Sequence, residues 1–118
     1  MRRNLDLTAA AQADIAQILR SSAVDFGEVA RSRYAALIAA AFNDLLSDPL
    51  CPTSVARSEL QPGIRTYHLR HARQRAAIPH GAVKAPRHLI AYLTPTPDLV
   101  VVVRLLHDAR ELERHLGV

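Results

Sequence analysis

The sequence predicts an α+β fold in which an N-terminal helical hairpin packs on a small antiparallel β-sheet, followed by a short C-terminal helix. Two observations carry that prediction. All seven prolines lie after Asp48, at positions 49, 52, 62, 79, 86, 95 and 97, so an uninterrupted first part precedes a punctuated second part. Apolar residues recur at helical spacing in the first part and alternate or run together in the second. A length of 118 residues with 49% hydrophobic content suits a single domain, residues 1–118. With no Trp, three Tyr and two Phe, its core must be built mainly from Leu, Ile, Val and Ala.

Taken in order, Arg2 to Leu7 sets Leu5 and Leu7 on one side and is short enough for an edge strand. Thr8 stands where an N-cap belongs, its hydroxyl able to accept from an N–H that the first helical turn leaves unpaired. From Ala9, the positions Ala11, Ile15, Ile18 and Leu19 form one apolar stripe, expected to end near Ser21 and Ser22 before the break at Asp25-Phe26-Gly27. From Glu28, Ala30, Tyr34, Leu37, Ile38, Ala41, Phe42, Leu45 and Leu46 recur at three and four, until Asp48 and Pro49 stop the pattern. Two helices so closely linked form a hairpin, whose apolar stripes require a further layer to cover them.

The second part supplies that layer. Gly63 to His71 alternates Ile64, Thr66 and His68 with Arg65, Tyr67 and Leu69, a strand pattern. His88 to Leu93 is a second strand, and Thr94 to Asp98, with two prolines, is a turn. Leu99 to Leu106 is expected to be the central strand, because its apolar run is continuous as far as Arg104. Asp108 begins a last helix over Ala109 to Leu116, and Ala72 to Pro86 is the one long irregular stretch.

Charge is unevenly distributed. Residues 1–60 carry six Arg against seven acids, and residues 61–118 carry nine Lys or Arg against four. No acid lies between Glu59 and Asp98, where Arg65, Arg70, Arg73, Arg75, Lys84 and Arg87 accumulate. A one-sided positive field attracts nucleic acid, a nucleotide-handling enzyme or an acidic peptide, and charge alone does not choose among them. A solvated basic face is the plainer alternative.

Several functions are excluded by what the sequence lacks. The four glycines are isolated at 27, 63, 81 and 117, so no phosphate-cradling loop is present. Six His and one Cys at irregular spacings give no zinc set, and no metal or cofactor is expected. There is no Ser nucleophile elbow. A lone Cys51, no signal-peptide pattern and apolar strings far too short to span a membrane point to a cytoplasmic protein. What remains is a candidate phosphate-handling group: Arg65 and Arg104 on the sheet face away from the helices, Tyr67 beside them, and a nearby His to move protons. The structural alternative pairs the two Arg with carboxylates such as Glu59 or Glu111 and leaves His107 to satisfy backbone groups at a strand end.

Four phrases together resemble one family. They are Pro62-Gly63-Ile64-Arg65 opening a strand, Pro86-Arg87-His88-Leu89-Ile90-Ala91-Tyr92 on the next, Arg104-Leu105-Leu106-His107-Asp108 after it, and Leu112-Glu113-Arg114-His115-Leu116 at the end. With the helical hairpin before them, they look like the ParE toxins of the RelE/ParE superfamily over nearly the whole chain. The resemblance implies a toxin of a type II toxin–antitoxin pair, held inactive in a hetero-oligomer by a ParD-like ribbon-helix-helix antitoxin. Through that antitoxin, and only so, the pair reaches DNA. ParE members are described as poisoning DNA gyrase and RelE members as cutting messenger RNA on the ribosome. The implied antitoxin site is a groove near Tyr34, Leu37 and Ile38, and the implied target contact is Arg104, Arg110 and Arg114. A ribonuclease would instead draw on Arg65, Arg104, and His107 or His115. A third alternative is a degenerate toxin that only binds its antitoxin and regulates their operon.

Overall fold

The computed structural model describes residues 3–76 and 83–107. Strand β1 (Asn4–Leu7) leads into helices α1 (Ala9–Phe26) and α2 (Glu28–Ser47). Then follow the two-residue strand β2 (Val55–Ala56), β3 (Arg65–His68), a 3-10 turn (Leu69–Ala72), the single turn α3 (Arg73–Ala76), and strands β4 (His88–Thr96) and β5 (Leu99–His107). The expected helix over Ala109 to Leu116 lies outside the described residues.

Local chemistry explains each boundary. The Thr8 hydroxyl accepts from the Ala11 N–H at 3.0 Å, as an N-cap should. Helix α1 runs past Ser21 and Ser22 to Phe26, because Ala23 and Val24 are compatible with helix and only Gly27 breaks it. Gly27 has φ 95° and ψ 175°, a backbone region open essentially to glycine alone, and it is at once the C-cap of α1 and the N-cap of α2. Asp48 ends α2 as expected. Gly63, at φ 81°, follows Pro62 in a turn closed by the Ile64 N–H to the Gln61 carbonyl at 3.1 Å. β3 is shorter than its alternation suggested, since His68 accepts from the Arg70 N–H and turns the chain into the 3-10 turn.

The sheet order is β1-β5-β4-β3-β2, antiparallel throughout except that edge strand β1 runs parallel to β5. The middle of the sheet therefore belongs to β4, not to β5 as its apolar run suggested, because β1 and β2 extend the sheet at opposite edges. The hairpin covers one face. Leu37, Ile38, Ala41 and Leu45 of α2 pack with Tyr67, Ile90, Tyr92, Val100, Val102 and Leu105 of the sheet in one core. A smaller cluster of Leu60, Leu89 and Leu106 serves the loop before β3. Tyr92 is fully buried with its hydroxyl donating to the Pro49 carbonyl at 2.5 Å. Around Gly27, the tip of the hairpin leaves Val24, Phe26 and Val29 exposed. No helix of the described residues is long and apolar enough to cross a membrane.

Substituting Gly27→Ala introduces a Cβ with nothing within 4 Å of it, so any cost is purely conformational. We expect a loss of roughly 1–3 kcal/mol, read as a lower urea midpoint at unchanged slope.

Candidate functional site

The end of the hairpin and the end of the sheet do not close on each other. Between the second half of α1, the start of α2, residues 83–87, the start of β4 and the end of β5 lies a cleft of about 870 Å³. Ile18, Phe26 and Ala30 give it apolar walls, and Arg33, Lys84, Arg87 and Arg104 line it with positive charge against Asp14 and Asp25.

Three side chains meet in this cleft. His88 and His107 are direct partners across the β4–β5 ladder, so both project to the same face, and their rings stand edge to face with centroids 5.3 Å apart. Tyr34 of α2 reaches down to them, its hydroxyl 2.6 Å from His88 Nδ1 and its ring perpendicular to the imidazole at 5.6 Å. Burial pushes the Tyr34 phenol up to about 12, opposed by a backbone hydrogen bond at Arg87. Tyr34 is therefore a neutral phenol at physiological pH, suited to positioning an imidazole and not to acting as a base.

The floor of the cleft is fixed by Asp14 of α1. Its carboxylate accepts from Arg104 Nε at 2.7 Å, from Arg104 Nη2 at 3.0 Å and from the Leu105 backbone N–H at 3.0 Å. The pair is largely withdrawn from water, with side chains 22% (Arg104) and 16% (Asp14) exposed. Such bidentate geometry makes it a latch between α1 and β5.

A second polar cluster sits at the other end of the hairpin. The Tyr67 hydroxyl donates to Asp44 at 2.6 Å, and Arg75 pairs with the same carboxylate while also donating to the His71 carbonyl at 2.9 Å. Burial, reinforced by the bond to Asp44, drives the Tyr67 phenol far above its ordinary range. This cluster ties the segment after β3 onto α2.

The expected site residues are thus redistributed. Arg65 lies opposite Tyr92 on β3 and donates to Ser54 Oγ at 2.7 and 3.1 Å, whereas Arg104 lies two strands away and grips Asp14. They do not share an open face with Tyr67, which is buried against α2. The expected pairing of Arg65 with Glu59 is also replaced, because Arg57 takes Glu59 at 2.6 Å and holds its carboxyl below the usual range. Leu37 and Ile38 were expected to line a groove but are 0% and 4% exposed, because the strongest helical stripe is the one spent on the core. Only Tyr34 of that trio reaches the cleft. His107 lies in the cleft, while Arg110, Arg114 and His115 fall outside the described residues. Sequence reasoning passed over His88 as a site residue. Its pairing with His107 follows from the β4–β5 register, which only the length of the connecting turn could have revealed. Among the described residues no group of His, Cys, Asp or Glu is arranged to hold a metal ion.

Residues 5–112 match the model of a family described as the ParE toxin of the type II toxin–antitoxin system, parDE. No curated protein matches the chain.

Removing one partner of the latch strands the other. Asp14→Ala is expected to cost about 2–4 kcal/mol in urea unfolding, and Asp14→Leu combined with Arg104→Met to cost clearly less. All three tyrosines, Tyr34, Tyr67 and Tyr92, are shifted upward, in each case chiefly by burial. A phenol whose folded pKa exceeds its unfolded value of 10.0 contributes stability fully below pH 10 and loses it as pH rises towards the folded value. For Tyr34 that loss spans pH 10 to 12 and amounts to about 2–3 kcal/mol. Tyr34→Phe should remove this part of the alkaline decline, and tyrosinate absorbance of the folded protein should rise at higher pH than that of the unfolded chain.

Proposed function

Since the chain belongs to the ParE toxins of type II toxin–antitoxin systems, we propose that it binds and poisons DNA gyrase and that a ParD-like antitoxin silences it through the cleft. Family membership makes the protein a toxin with an antitoxin partner. The identity of target and antitoxin is our reading.

The cleft is the observation that carries it. Apolar walls at Ile18, Phe26 and Ala30 with a cationic lining at Arg33, Lys84 and Arg87 suit an acidic amphipathic segment that folds as it binds. The exposed Val24, Phe26 and Val29 extend the apolar surface beyond the cleft mouth. The antitoxin of this reading is a ribbon-helix-helix dimer in the cytoplasm, and its complex with the toxin is the hetero-oligomer that meets operator DNA.

Action by binding, without catalysis, agrees with the dispersal of the phosphate-handling group: Arg65 is engaged by Ser54 and Arg104 by Asp14. Because Arg104 serves as a latch, the proposed gyrase contact rests on Arg110 and Arg114, with Arg104 holding the end of β5 that leads to them. One observation favours messenger-RNA cleavage as the second reading: the His88–His107 pair lies in the same cationic cleft. A His88→Ala, His107→Ala variant that folds yet loses toxicity would promote that reading to first place.

The deciding experiment is gyrase supercoiling of relaxed plasmid with toxin alone and with toxin premixed with antitoxin. We expect supercoiling to stop, cleaved DNA to accumulate, and the antitoxin to reverse both. Undisturbed supercoiling by a folded toxin would exclude gyrase. Arg33→Glu with Arg87→Glu should weaken antitoxin binding at least tenfold in calorimetric titration while leaving gyrase inhibition intact. Arg110→Glu with Arg114→Glu should do the reverse.

A further inference from the structure

We propose that the turn bearing Arg70 and Arg73 docks the sugar–phosphate backbone of duplex nucleic acid without sequence preference, a contact the toxin makes with its own residues. It is separate from the cleft, and it goes beyond an approach to DNA through the antitoxin alone.

The charge on this turn is not spent inside the protein. Arg70 is exposed, and Arg73, half-buried, has a buried Nε with no hydrogen-bond acceptor. Among the described residues neither guanidinium is held by a carboxylate, in contrast to Arg57, Arg75 and Arg104, each of which is paired. No acid occurs anywhere between Glu59 and Asp98 to offset them. Burial, and then the charge of Arg70, lowers the pKa of His71 below its ordinary value.

The presentation is rigid. Leu69, Ala72 and Ala76 are buried on the inner side of the turn. His68 Nδ1 accepts from the Arg70 N–H at 3.1 Å, and Arg75 fastens α3 to Asp44 of α2. In a 3-10 turn residues i and i+3 stand one above the other, about 6 Å apart along the axis. Arg73 caps the turn, its N–H donating to the Arg70 carbonyl, so Arg70 and Arg73 rise from one fixed stretch of backbone as a short cationic ridge.

The surroundings select the partner. Among the described residues the large exposed apolar side chains, Val24, Phe26, Val29, Leu50 and Val55, belong to other segments, so the described part of the ridge offers an amphipathic peptide no apolar seat. Tyr67, the aromatic nearest in sequence, is buried with His71 edge-on against it, so among the described residues it offers unpaired bases no stacking platform. A regular array of phosphates, presented by a duplex whose bases are stacked inside, needs only the two guanidinium forks.

The test is fluorescence anisotropy of the full-length toxin with a labelled mixed-sequence DNA duplex of about 20 base pairs, titrated from about 50 to 200 mM salt. We expect salt-dependent binding, indifferent to sequence. Arg70→Glu with Arg73→Glu should cut affinity at least tenfold and reduce the slope of log K against log salt by about 2, whereas Arg70→Lys with Arg73→Lys should keep that slope. The Glu variant should unfold at the wild-type urea midpoint and still inhibit gyrase and bind antitoxin, which separates this contact from the proposed function. An equivalent RNA duplex bound through the same two residues also supports the proposal and identifies the source of the phosphates. Absence of binding at the lowest salt, unchanged affinity in the Glu variant, or preference for the single strand or for an acidic peptide would overturn it.

Discussion

The arrangement depends on how α1 serves the exposed flank of β5. Strand β1 accompanies β5 only as far as Val102, and beyond that point, among the described residues, β5 has no neighbouring strand on this side. Side chains from the helix take over. The Thr8 hydroxyl donates to the Val103 carbonyl at 2.6 Å and the Asp14 carboxylate accepts from the Leu105 N–H at 3.0 Å. An unpaired strand edge is open to pairing with other chains, and these two bonds, with Arg104 closing over Asp14, blunt it. They also fix the distance between α1 and the end of the sheet. The cleft is the space left between them, so its shape is a by-product of satisfying one strand's backbone.

Much of the fold was legible. The proline boundary at Asp48, the Thr8 cap, the periodicity of α2 and the strands near Arg65, His88 and Leu99 all express local rules, and local rules act on residues close in sequence. What stayed hidden is non-local. Nothing in Leu99 to Leu106 says that β1 will lie parallel beside it, and a continuous apolar run marks burial on both faces without fixing a position in the sheet. The site was legible in composition but not in assembly. Arg65 and Arg104 were read as one phosphate-handling group, yet each is committed to a partner of its own, Ser54 and Asp14.

The reading of Tyr34, Leu37 and Ile38 as one surface carries a specific lesson. Residues three and four apart share a helical face, and this face is the one that the sheet covers. Tyr34 escapes full burial because it sits near the start of α2, where the helix overhangs the cleft. Its hydroxyl then meets His88, so the residue is half core and half site. The two ends of the hairpin thus use the same device: a tyrosine hydroxyl bonded to a partner on another element, Tyr34 to His88 at one end and Tyr67 to Asp44 at the other.

The pairing of the first strand with the last constrains when the protein can exist. Thr8 and Val103 are 95 residues apart, and β1 cannot be placed until β5 has been made. At ordinary rates of synthesis, roughly 5–20 residues per second, the amino-terminal strand waits about 5–20 s for its neighbour. During that interval the hairpin can form, but the sheet that covers it lacks β5, and the cleft lacks a wall. A chain stopped before Leu99 therefore lacks both the partner of its first strand and one wall of the cleft.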